Sequence, residues 1–459
     1  MKLRTFWSVI LVLAVVRLAL MAAIPVFEPS EARYAAISAN MARSGDFVVP
    51  RFTHELEYQS FDGKPPLVFQ AGGLCVRALG TDAPWKLQLA VRVFPFLSAA
   101  LALLILYFAV ARLSDAATGR LAVAVCATCT AFYAAAGISM TDMTLTCCVA
   151  GALLLYRTFA DTGSLASAAG VAALLGAGMI TKGPVAIALF GLPALVDAVV
   201  NRRWKAFLSW KWLVVAPIFL AVAVPWFVLV EQRNPGSVLY FFYNENFLRF
   251  VSHDYGDKYG AGREAFRGVS ALWALVATLP WALVPLWRGV AAWRRRAGAP
   301  ARARLAALAR SAGAKDFAFL ALAAIVGFWC LTSRVLLYYL FPVIPLFAAW
   351  LALRGPRPLL ARLAPPAAAL SAVVLVVGFV GGALFSDKMR GAKTEFRTMD
   401  KNYAYEFYHG RLGEDEMARH RAKRAAILAE AAYWDRVLRE KAEAERKAAA
   451  ARRKKEDAK

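Results

Sequence analysis

Residues 27–67 read FEPSEARYAAISANMARSGDFVVPRFTHELEYQSFDGKPPL, a stretch dense in charged and polar groups between segments that are almost wholly apolar. Two elements stand out. One is an acidic-then-basic cluster, Glu28, Glu31, Arg33 and Tyr34; the other is the Lys64-Pro65-Pro66 turn preceded by Asp62. A short amphipathic helix fits between them, which places reactive groups at a membrane surface. The flanking chain makes that reading necessary. The sequence is 60% hydrophobic and 19% charged, and its apolar residues come in runs of roughly 18 to 25.

Such runs lie near 5–27, 89–111, 118–136, 143–160, 164–181, 184–200, 212–231, 268–288, 316–332, 335–353 and 365–386. Lipid offers the backbone no hydrogen-bond partners, so runs of this length without strict alternation mean helices. The expected fold is all-α: a polytopic membrane protein of about eleven transmembrane helices with extracytoplasmic juxtamembrane helices. The first run follows Lys2 and Arg4 and passes Arg17 without a small-residue cleavage site, so it reads as an uncleaved span. Residues 1–386 then form the membrane domain, and 387–459 form a polar tail with the look of a solvated helix.

The formal net charge is +24. The Lys and Arg residues sit mainly in short loops and in the tail, where they set orientation, and nucleic acid is not an expected partner. Loops 201–211, 288–315 and 354–362 are rich in Lys and Arg and poor in acids, so with the N-terminus inside all three are cytoplasmic. The extracytoplasmic connections are then 28–88, Ser139–Asp142, Thr181–Pro184, 232–267 and Ser333-Arg334. Every unusual polar cluster falls on that one face. Odd parity puts the tail there too, although its basic character suits the cytoplasm. Trp85, Trp210, Trp212, Trp226, Trp281 and Trp350 lie near span ends and read as interfacial anchors. The six cysteines lie in or beside apolar runs, so Cys126 and Cys129, although spaced as a CxxC, read as small packing residues.

Several short motifs follow in order: EPSEARYA, MARSGDFVVPR, FDGKPPL, TDMTL, TKGP, PWF, NENFLRF and SRVLLYYLFPVIP. Together, over roughly residues 5–355, they resemble the polyprenyl-phosphate-sugar dependent glycosyltransferases of the class C fold. The relatives in view are the lipid A aminoarabinose transferases and, more distantly, the protein O-mannosyltransferases. The resemblance implies a transferase of a bacterial inner membrane that works on the periplasmic face. It would take a sugar from a polyprenyl phosphate, undecaprenyl phosphate in bacteria, and give it to a lipid A, lipopolysaccharide or other envelope acceptor by inverting single displacement. A protein acceptor, or a transporter of lipid-linked sugar, are the alternatives.

In that family an acidic pair opens the first external loop, and its first acid is taken as catalytic. Here Ser30 stands in that place, which leaves Glu31 as the expected base, with Glu28 beside it. Gly63 replaces a proposed metal-ligand glutamate, so a divalent metal would need Asp62 or His253. Arg334 holds the place of a lysine near the donor phosphate.

The chemistry asks for the same residue types. A polyprenyl phosphate is a good leaving group that needs cations rather than an acid, and Arg33, Lys64 and Lys182 supply them. The acceptor hydroxyl needs a carboxylate base. Tyr34, Asp62, Asp142, Tyr338 and Tyr339 are the expected substrate contacts. The aromatic run Tyr240–Tyr243, with Glu245 and Arg249 after it, would line a lipid-tail groove or a sugar site. Blander readings stand beside each: Glu31 and Arg33 as helix-capping groups, Lys64-Pro-Pro as a rigid helix entry, Asp142 as a turn-closing acid, and Lys182 as a snorkelling lysine.

Overall fold

In a computed structural model of the chain, the described residues are 2–27, 30–52, 60–251, 265–313 and 315–385. Glu28, His253 and the 387–459 tail, all named above, lie outside them. The chain begins with α1 (Leu3–Ala23), then the amphipathic α2 (Ser30–Ser44) and α3 (Leu67–Leu79). The bundle continues with α4 (Pro84–Leu113), α5 (Ala116–Ala127), α6 (Thr130–Ala135), α7 (Thr141–Thr162), α8 (Leu165–Lys182) and α9 (Val185–Val200). After a single turn, α10 (Trp204–Phe207), come α11 (Lys211–Arg233), α12 (Ser237–Leu239), a π-helical stretch Tyr240–Leu248 and α13 (Arg249–Val251). The last part holds α14 (Val269–Ala277), α15 (Leu283–Arg294), α16 (Ala301–Ala312), α17 (Phe317–Cys330), a 3₁₀ turn Leu337–Leu340, α18 (Val343–Arg354) and α19 (Arg357–Phe385).

Each expected apolar run falls on helix, but not all are unbroken. Six helices, α1, α4, α7, α8, α11 and α19, are long and apolar enough to cross a membrane, while α5, α9, α17 and α18 are shorter apolar helices. Two runs are interrupted, 118–136 between α5 and α6 and 268–288 between α14 and α15, and the interruptions satisfy one another. The Thr130 amide donates to the Leu279 carbonyl at 3.1 Å. The Trp281 indole donates to the Thr128 hydroxyl at 2.8 Å, and Ser371 donates to the Thr128 carbonyl at 2.9 Å. Irregular backbone is tolerated at this depth because protein, not lipid, surrounds it. Trp281 is 2% exposed, so it is a core residue and not the interfacial anchor expected from its position. Cys126 and Cys129 are buried free thiols in the same region.

The helix at the centre is α7, which carries Thr, Cys, Gly and Ala on all sides and is 78% buried over its apolar window, against 17% for α11. A helix without a polar face belongs in the interior. It packs on α4, α8 and α9, which brings its first turn, with Asp142, to the middle of one end of the bundle. Over that end lie α2 and α3. They meet closely because Gly73 faces α2 without a side chain: a Cβ there would sit 2.9 Å from the Ser38 carbonyl.

Candidate active site

Asp142 stands in the first turn of α7, where the helix dipole favours an acid, and Lys182 closes α8, where it favours a cation. The two meet as Lys182 Nζ to Asp142 Oδ1 at 2.5 Å, with both side chains at most 10% exposed. The chain leaves Lys182 through Gly183, whose φ of +81° suits glycine, and a Cβ there would run into the Phe241 ring. The Lys182 ammonium also lies 4.3 Å from the centre of the Tyr339 ring and 5.7 Å from that of Tyr338, within cation–π range.

A second cluster adjoins it. Glu245, on the π-helical stretch, takes Arg249 NH1 at 3.1 Å and the Tyr240 hydroxyl at 3.3 Å, and its Oε2 lies 3.7 Å from Lys64 Nζ. Arg249 NH2 donates to the Tyr339 hydroxyl at 3.3 Å, and Arg334 NH1 lies 3.5 Å from the Arg249 carbonyl. Lys64, Lys182, Glu245, Arg249, Arg334 and Tyr339 thus line one cleft. Burial pushes the Lys64 ammonium down to about 8 against the pull of Glu245, with Arg249 and Lys182 pressing the same way as burial. Tyr34 reaches this region from α2, its ring packed on Phe61 and Phe69. Burial raises its phenol above the ordinary range, partly offset by Arg33, with Asp142, Tyr339 and Arg249 also acting on it.

Glu31 sits elsewhere than a base should. Its carboxylate accepts four hydrogen bonds: Arg92 Nε at 2.8 Å, Arg92 NH2 at 3.0 Å, the Phe27 amide at 2.9 Å and the Ser139 amide at 3.1 Å. Both it and Arg92 are 2% exposed. Burial alone would raise its pKa, but Arg92 and the two amides hold it below the usual carboxylate value. All four acceptor directions are used within the protein, which leaves none for an incoming hydroxyl. Arg92 was missed because a single arginine inside an apolar run looks like a span residue. Its guanidinium also takes the carbonyls of Met21, Ile24 and Pro25, tying α4 to the end of α1.

Asp62 is also engaged structurally: Oδ1 accepts from Asn234 and Ser237, both at 3.0 Å, and Oδ2 accepts from Ser60 at 3.2 Å. The Gly63 carbonyl takes Lys64 Nζ at 2.6 Å. Among the described residues, no three of His, Cys, Asp and Glu converge as metal ligands.

Comparison with known proteins agrees with this architecture. Residues 77–228 match the family model described as dolichyl-phosphate-mannose-protein mannosyltransferase, a stretch that includes Asp142 and Lys182. The undecaprenyl phosphate-alpha-4-amino-4-deoxy-L-arabinose arabinosyl transferase of Edwardsiella ictaluri is 30% identical over 230 residues, 49% of this chain and 40% of that protein. The transferase of the same name from Enterobacter sp. is 28% identical over 233 residues, 50% of this chain and 40% of its own. This chain thus spans about two fifths of the length of these curated relatives. The crystal structure of ArnT from Cupriavidus metallidurans bound to undecaprenyl phosphate superposes with a TM-score of 0.61 at 24% identity, over 88% of this chain and 75% of that one. The fold is the class C glycosyltransferase fold. In sequence, too, the chain resembles the polyprenyl-phosphate-sugar transferases that carry the class C fold. It is a multi-pass membrane protein, and the cleft of Lys64, Lys182 and Arg249 lies where the juxtamembrane helices of its class C fold cover the bundle.

Proposed function

We propose that the protein is a membrane glycosyltransferase that moves a sugar from a polyprenyl phosphate, undecaprenyl phosphate by analogy with its relatives, to a lipid A or lipopolysaccharide acceptor. The observation that carries this reading is the charge of the cleft. Among the described residues, four cations, Lys64, Lys182, Arg249 and Arg334, gather around two carboxylates, Asp142 and Glu245, and these groups are largely removed from water.

A polyprenyl-phosphate sugar is a phosphodiester with one negative charge. When its glycosidic bond breaks, the departing phosphate monoester approaches two. Cations that are already fixed in a low-dielectric cleft stabilise the second charge more than the first, which is what accelerates the step. Arg249 and Arg334 present planar N–H groups, and Lys64 and Lys182 present point charges.

Asp142 is the carboxylate best suited to take the acceptor proton. Lys182 occupies its Oδ1, while Oδ2 carries no hydrogen bond among the described residues. Attack from the side opposite the leaving phosphate inverts the anomeric carbon. Glu31 is then a positioning group: by holding the Ser139 amide it fixes the turn that leads into Asp142. Arg33 and Tyr34 belong to the donor side, brought there by α2. The basic ends at Arg202–Arg203, Arg294–Arg296 and Arg354 support a cytoplasmic location for the opposite face, and hence a periplasmic cleft in an inner membrane.

The test is transfer by the purified protein in detergent, supplied with undecaprenyl phosphate-4-amino-4-deoxy-L-arabinose and lipid A. A pentose-sized mass gain on lipid A supports the reading. Failure to transfer from any polyprenyl-phosphate sugar to any envelope acceptor would refute it.

A further inference from the structure

At the end of the bundle away from the candidate site, the last turns of α4, α7 and α18 and the first turns of α17 and α19 enclose a cavity of about 350 Å³. That is many times the roughly 10–15 Å³ that admits one water. Its lining is mixed: Leu113, Phe317 and Trp350 give it an apolar part, and Arg157, Arg203, Lys315, Arg354 and Arg357 give it a cationic one. Asp316 is the one acid among the lining residues, and Arg354 takes it through two bonds of 2.5 and 2.6 Å.

Arg157 is paired with Asp161, while Arg203 and Arg357 reach their acids over longer distances. Arg203 lies 3.4 Å from Asp197, Arg357 lies 3.5 Å from Asp115 and donates one N–H each to the Ser114 hydroxyl at 3.2 Å and the Ala352 carbonyl at 3.3 Å, which leaves two of its N–H groups over, and the Lys315 ammonium makes no ion pair or hydrogen bond among the described residues. These groups therefore keep N–H donors for a further anionic acceptor. A pocket that joins a cationic part to an apolar one, set at helix ends where a membrane surface would lie, suits an amphiphile with a charged head.

We propose that this cavity holds the headgroup phosphate of an anionic membrane lipid, with Arg203, Lys315 and Arg357 on the phosphate and the first acyl carbons against Leu113, Phe317 and Trp350. The site is separate from the donor cleft and does not depend on the reading given for it. Phosphate oxygens would accept charge-assisted hydrogen bonds from the two guanidinium groups, and a zwitterionic lipid would lose part of that gain to its own cation.

The full chain in detergent is titrated with phosphatidylglycerol, with phosphatidylcholine and with inorganic phosphate, and bound lipid is read by native mass spectrometry. The expected result is a preference of about fivefold or more for phosphatidylglycerol, unchanged by millimolar inorganic phosphate and reduced to near parity in Arg203→Gln/Lys315→Gln. Because Arg203 pairs with the buried Asp197, the double variant can lose its fold. The exposed Lys315→Glu is the second test, and it should also weaken the preference. Equal binding of both lipids by the wild-type chain, or an unchanged preference in Lys315→Glu, would overturn the proposal. Displacement of the lipid by inorganic phosphate would overturn the lipid assignment in favour of a soluble anion.

Discussion

Arg92 and Glu31, 61 positions apart in the chain, are joined face to face by two hydrogen bonds of 2.8 and 3.0 Å, with both side chains 2% exposed. The pair locks α2 to α4, and through the Ser139 amide it also locks the turn before α7. A buried pair of this kind is weak evidence for net stability against an apolar replacement, but losing one member is costly because the other stays buried and charged.

Arg92→Ala should therefore lower stability by about 3–5 kcal/mol, measured as a drop in the detergent-solubilised unfolding midpoint. Glu31 adds a pH dependence. Its pKa is depressed in the folded chain and returns to the ordinary glutamate value of about 4.3 on unfolding. The stability it supplies is thus present above that value and drains away as pH falls through the folded value. Glu31→Gln should flatten the acid limb of the stability profile. An unchanged acid limb would show that Glu31 is not held as described.

The two carboxylates should separate cleanly in turnover. Asp142→Asn is expected to lose about 10²–10⁴-fold in kcat while remaining folded, as removal of a general base does. The folded fraction of Glu31→Gln should keep most of its activity. Near-normal turnover by Asp142→Asn beside an inactive, well-folded Glu31→Gln would return the base to Glu31.

Lys64 should give the donor site a titration that most lysines do not show near neutrality. With its pKa pushed down to about 8, the ammonium is intact below that pH and lost above it. The KM for donor should rise about fivefold between pH 8 and pH 9, as one group of that pKa deprotonates. In Lys64→Arg the rise should vanish, because a guanidinium does not titrate there. A rise of the same size in Lys64→Arg would assign it to another group.

Lys182→Ala and Arg249→Ala are each expected to lose about 10²–10³-fold in rate, in line with removal of one fixed charge from a transition-state site. The measurement that decides is single-turnover transfer at saturating donor. If only KM changes, these groups bind the ground-state phosphate and do not act on the leaving group.

Much of this was legible in the chain. Long apolar runs named the helices, and residues as distant as Lys64, Lys182 and Arg334 converge in one cleft because the parity of the runs had already put them at one end of the bundle. The paired interruptions at Thr128 and Leu279 were not legible, since each run looks continuous in composition and its break depends on hydrogen bonds from the other. Nor was the role of Glu31. A carboxylate in a polar loop reads as available, and only the partner 61 residues away, inside an apolar run, takes it out of play. Trp281 is a similar case: near a span end it looks like an anchor, but its indole is spent on Thr128.

The loop that presents Lys64 is fastened from the far side by residues that come much later. Asp62 is held by Asn234 and Ser237, and the Val48 carbonyl is held by Trp226. The Glu31–Arg92 lock needs only the chain as far as Arg92, whereas the cleft needs it as far as Arg334 and Tyr339. During synthesis, then, the juxtamembrane layer can settle soon after α4 leaves the translocon. Lys64 must wait, uncommitted, through the insertion of four more long or short spans, α5, α7, α8 and α9, before α11 arrives to fix it and Glu245 to meet it. A nascent chain halted before that point would carry a scaffold without a cleft, so the two are assembled in separate stages, with Arg334 and Tyr339 the last lining residues to arrive.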